Sequence, residues 1–449
     1  MLGSKPEISI ATPRSGVAFY NQGTTLMENF NSYHEAVKYL ESFSGLAGVK
    51  SFAKDQKPDY HLKKTRYFLN LLGNPQANFR YIHIAGTSGK GSTANLIHHL
   101  LHKNGHRAGL FTSPYATTSI EKIRVDNLFI SPAEFCNIVE YLKPIIDKVY
   151  LECPYGPVSY FEIFLAIALE HFRRQKCEWV VLETGMGGKL DATNIVENPT
   201  VVAITNIDLD HTSILGHTLS KIAKDKAGIV KPSSIFITAE PRPHLLRIFK
   251  SLAKEVKAKR FIRVKGGNKE LALAIAKEIG LISVSFNNAS KLPCRFEIIQ
   301  RSPLVILDGA HNPAKIQFVL NKLQTMSYDK LIIVMAVADS KDHKKILKEI
   351  APLADQVFFT RFLITQRECA SPKNLLTIYQ ECQPKGVASV SLDPFLALTA
   401  ALNTAEPKDA ILVTGSFFLA GEIRKYWEKE EEILTKRVAS GFKHHLRRR

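Results

Sequence analysis

Short apolar runs alternate with helix-patterned stretches from residue 81 onward. The runs are YIHIAG, AGLFTS, WVVLETG, TVVAIT, LVILDGAH, LIIVMAV, QVFFT and AILVTGS. Each is rich in Val, Ile and Leu and ends in small or polar residues. Strands covered by helices on both faces read this way, because neither face needs a polar row. The pattern predicts an α/β protein with largely parallel sheets. In such sheets ligands sit beyond the carboxyl ends of the strands, so chemistry is expected just after the runs.

The pattern also divides the chain. Residues 1–26 have little periodicity and several Gly, Ser, Thr and Pro, which predicts an extension. ENFNSYHEAVKYLESF, directly after Met27, has apolar residues near helical spacing. The polar stretch SFNNASKLP, at 285–293, predicts a boundary between a first unit over 27–290 and a second over 291–435. A basic tail follows over 436–449.

Composition narrows the class. A chain of 449 residues suggests two to three domains, and 45% hydrophobic with 23% charged residues excludes a disordered chain. The most apolar long stretch, Phe161–Phe172, contains Glu162 and Glu170 and falls far short of the roughly 20 residues that span a bilayer. The start, MLGSKPEISIATPRSG, lacks the charged and apolar blocks of a secretory signal. Cys136, Cys153, Cys177, Cys294, Cys369 and Cys382 are scattered without a CxxC, against zinc or a disulfide framework. A reduced cytoplasmic setting is expected. The net charge of +18 invites a nucleic-acid reading, yet the last fourteen residues hold a third of it. They carry Lys436, Arg437, Lys443, Arg447, Arg448 and Arg449 and no acid.

Candidate chemistry follows the runs as expected. YIHIAGTSGKGS passes from a strand through a glycine turn into the helix-patterned TANLIHHLLHKNG. Gly86, Gly89 and Gly91 let backbone N–H groups approach phosphate oxygens, and Lys90 adds positive charge at a helix N-terminus. The loop departs from GxxxxGK[ST], because Gly91 separates Lys90 from Ser92. WVVLETGMGGKLDATN sets Glu183 at a strand end, where a carboxylate suits a Mg²⁺ bridging nucleotide phosphates, with Asp191 beyond it. TVVAITNIDLDHTSILG supplies Asp208, Asp210 and His211, and LVILDGAHNPAK supplies Asp308, His311 and Asn312. Asp308 is placed to hydrogen-bond a ribose hydroxyl. Plain strand-end turns and a helix cap at His211 stay open as readings of these residues.

Together GTSGKGS, TSPY, SYFE, LETGMGGKLDATN, DLDHTSILG, DKAGIVKP and DGAHNP resemble the folylpolyglutamate synthase/dihydrofolate synthase family, a branch of the Mur ligase superfamily, over about residues 27–425. The resemblance implies a P-loop-containing Mur-ligase-type ATPase domain followed by a smaller Rossmann-like α/β glutamate ligase domain. It implies an ATP- and Mg²⁺-dependent ligase of folate biosynthesis and one-carbon metabolism. Such an enzyme joins L-glutamate to dihydropteroate or a reduced folate through an acyl phosphate. A monomer acting on small molecules is expected, with no nucleic-acid or membrane partner.

By the same resemblance, Thr87, Ser88, Gly89, Lys90, Gly91 and Ser92 form the ATP loop, and Asn268, Arg295 and Asp308 contact the nucleotide. Ser113, Glu183 and His211 are metal ligands, joined by Lys226 as a carbamate formed with CO₂. Ser159, Tyr160, Phe161, Glu162, Leu190, Asp191 and Ala192 face the pterin substrate. Lys90, Lys226 and His311 are the catalytic candidates. The chain departs from the family pattern at Tyr115, Lys122 and Cys294 and in PDYHLKKT, near the start. The stretch between Glu240 and Asn268 is short enough that the usual strands are expected to be missing. These departures touch substrate pockets, so dihydrofolate synthase, folylpolyglutamate synthase or both remain open. A Mur-type ligase with another carboxylate acceptor, and a nucleic-acid-dependent NTPase, are the alternatives.

Overall fold

The computed structural model describes residues 25–45, 59–287, 289, 292–363 and 368–438. Most of the expected N-terminal extension and of the basic tail therefore lies outside the described residues. The first sheet has eight strands: β1 (Arg80–Ala85), β2 (Ala108–Phe111), β3 (Ile123–Val125), β4 (Leu128–Phe129), β5 (Trp179–Glu183), β6 (Val201–Ile204), β7 (Ile235–Thr238) and β8 (Arg260–Arg263). Their order is β4-β3-β2-β5-β1-β6-β7-β8. The strands from β2 to β8 in that order pair in parallel, and β3 and β4 form an antiparallel edge on β2.

The second sheet has six: β9 (Glu297–Arg301), β10 (Leu304–Leu307), β11 (Leu331–Met335), β12 (Gln356–Phe359), β13 (Val387–Val390) and β14 (Ala410–Thr414). Their order is β13-β12-β11-β14-β10-β9, parallel except for β9. Each of the eight apolar runs contains a strand. β8, β9 and β13 did not stand out because they lie at sheet edges and are largely exposed or half-buried, so they carry no continuous apolar run. The stretch between Glu240 and Asn268 was expected to lack strands because it is short; it holds the helix Pro243–Glu255 and one strand, β8.

Helices pack on both faces of each sheet. Leu100, Leu101, Leu271 and Ile275 cover one face of the first sheet, and Phe135, Leu142, Phe164 and Leu165 cover the other. The last described helix, Glu430–Lys436, follows the second sheet in sequence but packs on the first. Its Ile433 and Leu434 are buried in the first unit's core rather than the second's. Arg437 then closes the connection: its carbonyl takes the Phe129 N–H at 2.8 Å, and its Nε donates to the Phe129 carbonyl at 2.8 Å. The two units also meet at Arg424, a buried guanidinium whose Nε donates to Glu297 at 3.1 Å and whose other nitrogen donates to Thr117 in the first unit at 2.9 Å. Beside it, a Cβ on Gly421 would collide with the Ala116 carbonyl. Among the described residues, no helix is long and apolar enough to cross a membrane.

Candidate active site

The carboxyl ends of both sheets open onto one cleft of about 1230 Å³. Gly86, Ser113, Glu183 and Asn206 enter it from the first sheet, and Asp308, Ala338 and Ser416 from the second. The parallel strands set this arrangement, since each ends where its following loop turns back into a helix.

The glycine loop forms the floor. Gly86 has φ 143°, and a Cβ there would collide with Thr205 Oγ1. Gly89 has φ 81° and caps the helix Lys90–Lys103 without a side-chain bond, so the first helical N–H groups are left for an anion. The loop is pinned from beside it. The Thr87 N–H donates to the Asn206 carbonyl at 2.8 Å, and the Ser88 N–H to Asn206 Oδ1 at 2.9 Å. Lys90 Nζ folds over the loop to the Gly86 carbonyl at 3.2 Å. Asn268 begins the helix Asn268–Glu278 and lies against Gly89, where a Cβ would strike its side chain. Gly91 is the one loop residue that does not line the cleft. It is packed beneath Arg295 and Glu183, each 3.0 Å from where its Cβ would stand.

Charge gathers at the mouth of the loop. Glu183 is 2% exposed and accepts the Ser113 N–H at 3.0 Å. Lys226 is 3% exposed; burial and the charge of Lys90 push its ammonium down to about 7, against the pull of Asp210, Asp225 and Asp191. A neutral amine is the form that adds to CO₂. His211 sits in the left-handed region at φ 51° and caps the helix Thr212–Leu215 without a side-chain bond. Burial holds it down to about 4, so its imidazole is neutral and free to donate a lone pair. Glu183, Ser113 and His211, expected as ligands of a hard divalent cation, all line the cleft, but among the described residues no group of three or more His, Cys, Asp or Glu is placed to hold a metal ion. Among the described residues Glu183 meets no lysine or arginine within ion-pair distance, which leaves its charge for such an ion.

The second unit supplies the opposite wall. Asp308, at the end of β10, accepts the N–H groups of Phe296 at 2.7 Å and Ala310 at 2.8 Å, and burial pushes its carboxyl up to about 6. Asp210 reaches across from the first unit and meets both Lys315 Nζ and Lys341 Nζ at 3.2 Å. These lysines hold its carboxyl well below the usual range despite burial. His311 Nδ1 bonds the Gly309 carbonyl at 2.7 Å, and its Nε2 lies 3.1 Å from Lys315 Nζ. That geometry makes His311 a neutral acceptor that positions Lys315. Arg295 lies over the Phe417 ring at 5.5 Å.

The acceptor arm is built differently. Ser159 and Glu162 cap the helix Tyr160–Arg174 reciprocally: the Ser159 N–H and Oγ each donate to Glu162 at 2.7 Å, and the Glu162 N–H donates back. Glu162 also accepts from Thr65 Oγ1 at 2.7 Å and pairs with Lys64 at 3.2 Å. Asp191 accepts from the Met186 N–H at 2.8 Å and from Thr193 through both N–H and Oγ1. Phe161, Leu190 and Ala192 remain half-buried along the cleft. All seven residues expected to face the substrate line the cleft, but Glu162 and Asp191 are occupied by their own scaffold.

Three lysines were not anticipated as site residues. Lys315 stands one turn into the helix after DGAHNP, and Lys341 follows the run LIIVMAV, where the strand-end rule itself points. Lys122, noted only as a departure, is 4% exposed. It donates to Tyr160 Oη at 3.0 Å and lies 3.8 Å from the Phe164 ring centre. Burial pushes its ammonium down to about 7.

A glycine-loop unit facing a second α/β unit across one cleft is the architecture of a Mur-type ligase. Residues 146–290 match the Mur ligase middle domain, and residues 294–417 the Mur ligase glutamate ligase domain. The chain is 29% identical over 443 residues to the folylpolyglutamate synthase of Lacticaseibacillus casei, covering 88% of this chain and 98% of the relative. It is 28% identical over 412 residues to the dihydrofolate synthase/folylpolyglutamate synthase of Bacillus subtilis, covering 81% and 94%. E. coli FolC, solved in complex with DHPP and ADP, superposes with a TM-score of 0.72 at 25% identity, covering 87% of this chain and 97% of that one. The chain belongs to the folylpolyglutamate synthase/dihydrofolate synthase family of Mur ligases.

Proposed function

We propose that this protein is an ATP-dependent ligase that joins the amine of L-glutamate to the carboxylate of dihydropteroate, a reduced folate, or both. A carboxylate is a poor electrophile, so its oxygen first attacks the γ-phosphorus of ATP. The bond to the β-phosphate breaks, ADP leaves, and an acyl phosphate results. The glutamate amine then attacks the acyl carbon, loses a proton, and phosphate departs as the amide forms.

The residues divide this work by what they can do. The loop N–H groups from Gly89 to Ser92, beyond the two that Asn206 takes from Thr87 and Ser88, hold phosphate oxygens, and Lys90 neutralises charge there. Asn268, Arg295 and Asp308 hold the nucleotide from either side. Ser113, Glu183 and His211 would hold Mg²⁺, and Lys226, as a carbamate, would add an anionic oxygen. When bound, the metal neutralises the phosphates so that a carboxylate can approach them. Lys315 and Lys341 meet the transferring phosphoryl group from the second unit, and His311 positions Lys315. Phe161, Leu190 and Ala192 give the apolar face for a pterin ring. The enzyme works as a monomer on small molecules in the cytoplasm.

The observation that carries this reading is the pairing of Asp210 with Lys315 and Lys341, because it sets the second unit's cations over the first unit's phosphate loop. The test is isotopic. An acceptor labelled with heavy oxygen in its carboxylate should pass one labelled atom to the released phosphate. Unlabelled phosphate alongside amide product would exclude an acyl phosphate.

A further inference from the structure

A second pocket lies at the other end of the first sheet. It is about 370 Å³ and is lined by His102, Arg107, Asp126, His171, Gln175 and Arg437, among others. Arg107 immediately precedes β2, and Gln175 lies shortly before β5, whereas the nucleotide cleft gathers the opposite ends of the same strands.

Its charges are unlike those nearby. Arg173 and Arg174 both bind Glu170, and Arg174 also reaches Glu134. Among the described residues, Arg107 and Arg437 meet no carboxylate within ion-pair distance. Arg107 donates to the Gln175 side-chain oxygen at 2.7 Å. Arg437 is half-buried and held at φ 56°, with its Nε spent on the Phe129 carbonyl. Both guanidiniums are thus oriented by neutral oxygens, which leaves their charge uncompensated.

Two further groups complete the pocket. His171 is 3% exposed, and its Nδ1 has no hydrogen-bond partner. Burial and the charges of Arg437, Arg174 and Arg107 hold its imidazole down to about 4. Among the described residues Asp126 is the one carboxylate lining the pocket; it accepts the Ala108 N–H at 3.2 Å and lies 3.6 Å from His102. Two guanidiniums against one carboxylate leave an excess of positive charge in a space sized for a small ion. Guanidiniums match tetrahedral oxyanions because their planar N–H pairs meet two oxygens at once.

We propose that this pocket binds a small tetrahedral oxyanion, inorganic phosphate or a phosphate monoester, through Arg107 and Arg437. Nothing in the ligase reaction uses it.

The test is titration calorimetry of the full chain with phosphate and, separately, with glycerol phosphate, the phosphate loop being saturated beforehand with ADP and Mg²⁺. A further binding event of about one ion per chain is expected. Arg107→Gln and Arg437→Gln should each weaken it at least about tenfold while leaving ATP turnover unchanged. Binding to phosphate but not glycerol phosphate identifies the free ion, and the converse identifies a monoester. In a parallel titration followed by NMR the His171 ring resonance should move and its pKa rise, since an anion nearby favours the imidazolium. If Arg437→Gln is poorly folded, Arg107→Gln and the His171 signal decide. No further binding event, or one that both glutamine variants retain with an unmoved His171 resonance, overturns the proposal.

Discussion

The two arms of the cleft solve different problems with different material. At the phosphate end the residues are backbone and cation: glycine N–H groups with no side-chain cap, Lys90 folded on the loop, buried Lys226, and the unanticipated Lys315 and Lys341 on Asp210. The N–H groups from Gly89 to Ser92 are left for a ligand, while the lysines hold their places through Gly86, Asp210 and His311. At the acceptor end the polar residues are already satisfied, Glu162 by Ser159, Thr65 and Lys64, and Asp191 by Met186 and Thr193. A polar side chain in a cleft can therefore serve the ligand or the wall. Its partners tell which.

The contrast fails first if the phosphate end tolerates change. Lys90→Ala should cut ADP formation by about 10²–10³-fold with the melting temperature unchanged, since one charge at a transferring phosphoryl group carries that much. Turnover at the wild-type rate would remove Lys90 from the reaction. Lys226→Met should cost activity on a similar scale, and stripping CO₂ from wild-type enzyme should reproduce part of the loss reversibly. An active, CO₂-replete enzyme whose intact mass shows no carbamate would leave Lys226 as a buried amine alone.

The acceptor end should answer in stability. Glu162→Ala deprives Lys64, Thr65 and the Ser159 N–H of one buried partner, at a cost of about 1–3 kcal/mol in denaturant unfolding. Phe161→Ala should instead raise KM for the acceptor about tenfold while sparing KM for ATP, because a ring contact of about 1 kcal/mol and its buried area are lost. If Glu162→Ala raises KM without destabilising the fold, the division between wall and ligand groups is wrong.

The smallest effect joins both ends. His83, bonded to Thr193 behind the acceptor arm, and His211 at the phosphate mouth are both held neutral by burial, to about 3 and about 4. Their unfolded forms gain protons below about pH 6.5 while the native forms do not. Stability should therefore fall as pH drops from about 6.5 toward 4, measured as a declining denaturant midpoint. Ring resonances of His83 and His211 that titrate near pH 6.5 in the native protein would contradict the burial of both rings.

Much of this was legible in the chain. Most central strands announced themselves because burial on both faces demands unbroken apolar runs, although the buried interior strand β7 did not, and the residues after YIHIAG, WVVLETG and LVILDGAH do line the cleft. β8 and β13 did not announce themselves, because half-exposed edge strands need no such run. Ser159, Glu162 and Asp191 were readable as cleft residues, and Ser159 and Asp191 are met by chain neighbours, but the saturation of Glu162 was not readable, because it depends on Thr65 and Lys64 arriving from a distant helix. Asp210 could not reveal its partners either. Lys315 and Lys341 are 105 and 131 residues away, in the other unit. The helix Glu430–Lys436 followed the second unit in order but buries its two apolar residues in the first, a choice made by packing alone.

The central claim is that one cleft activates a pterin-bearing carboxylate and joins glutamate to it. The most direct measurement is the mass of the products formed with ATP, Mg²⁺, L-glutamate and, in separate reactions, dihydropteroate and tetrahydrofolate. The account predicts an acceptor heavier by one glutamyl residue in at least one reaction, with one ADP formed per bond. ADP formed without any gain in acceptor mass, or glutamate added only to a carboxylate lacking a pterin, would contradict it.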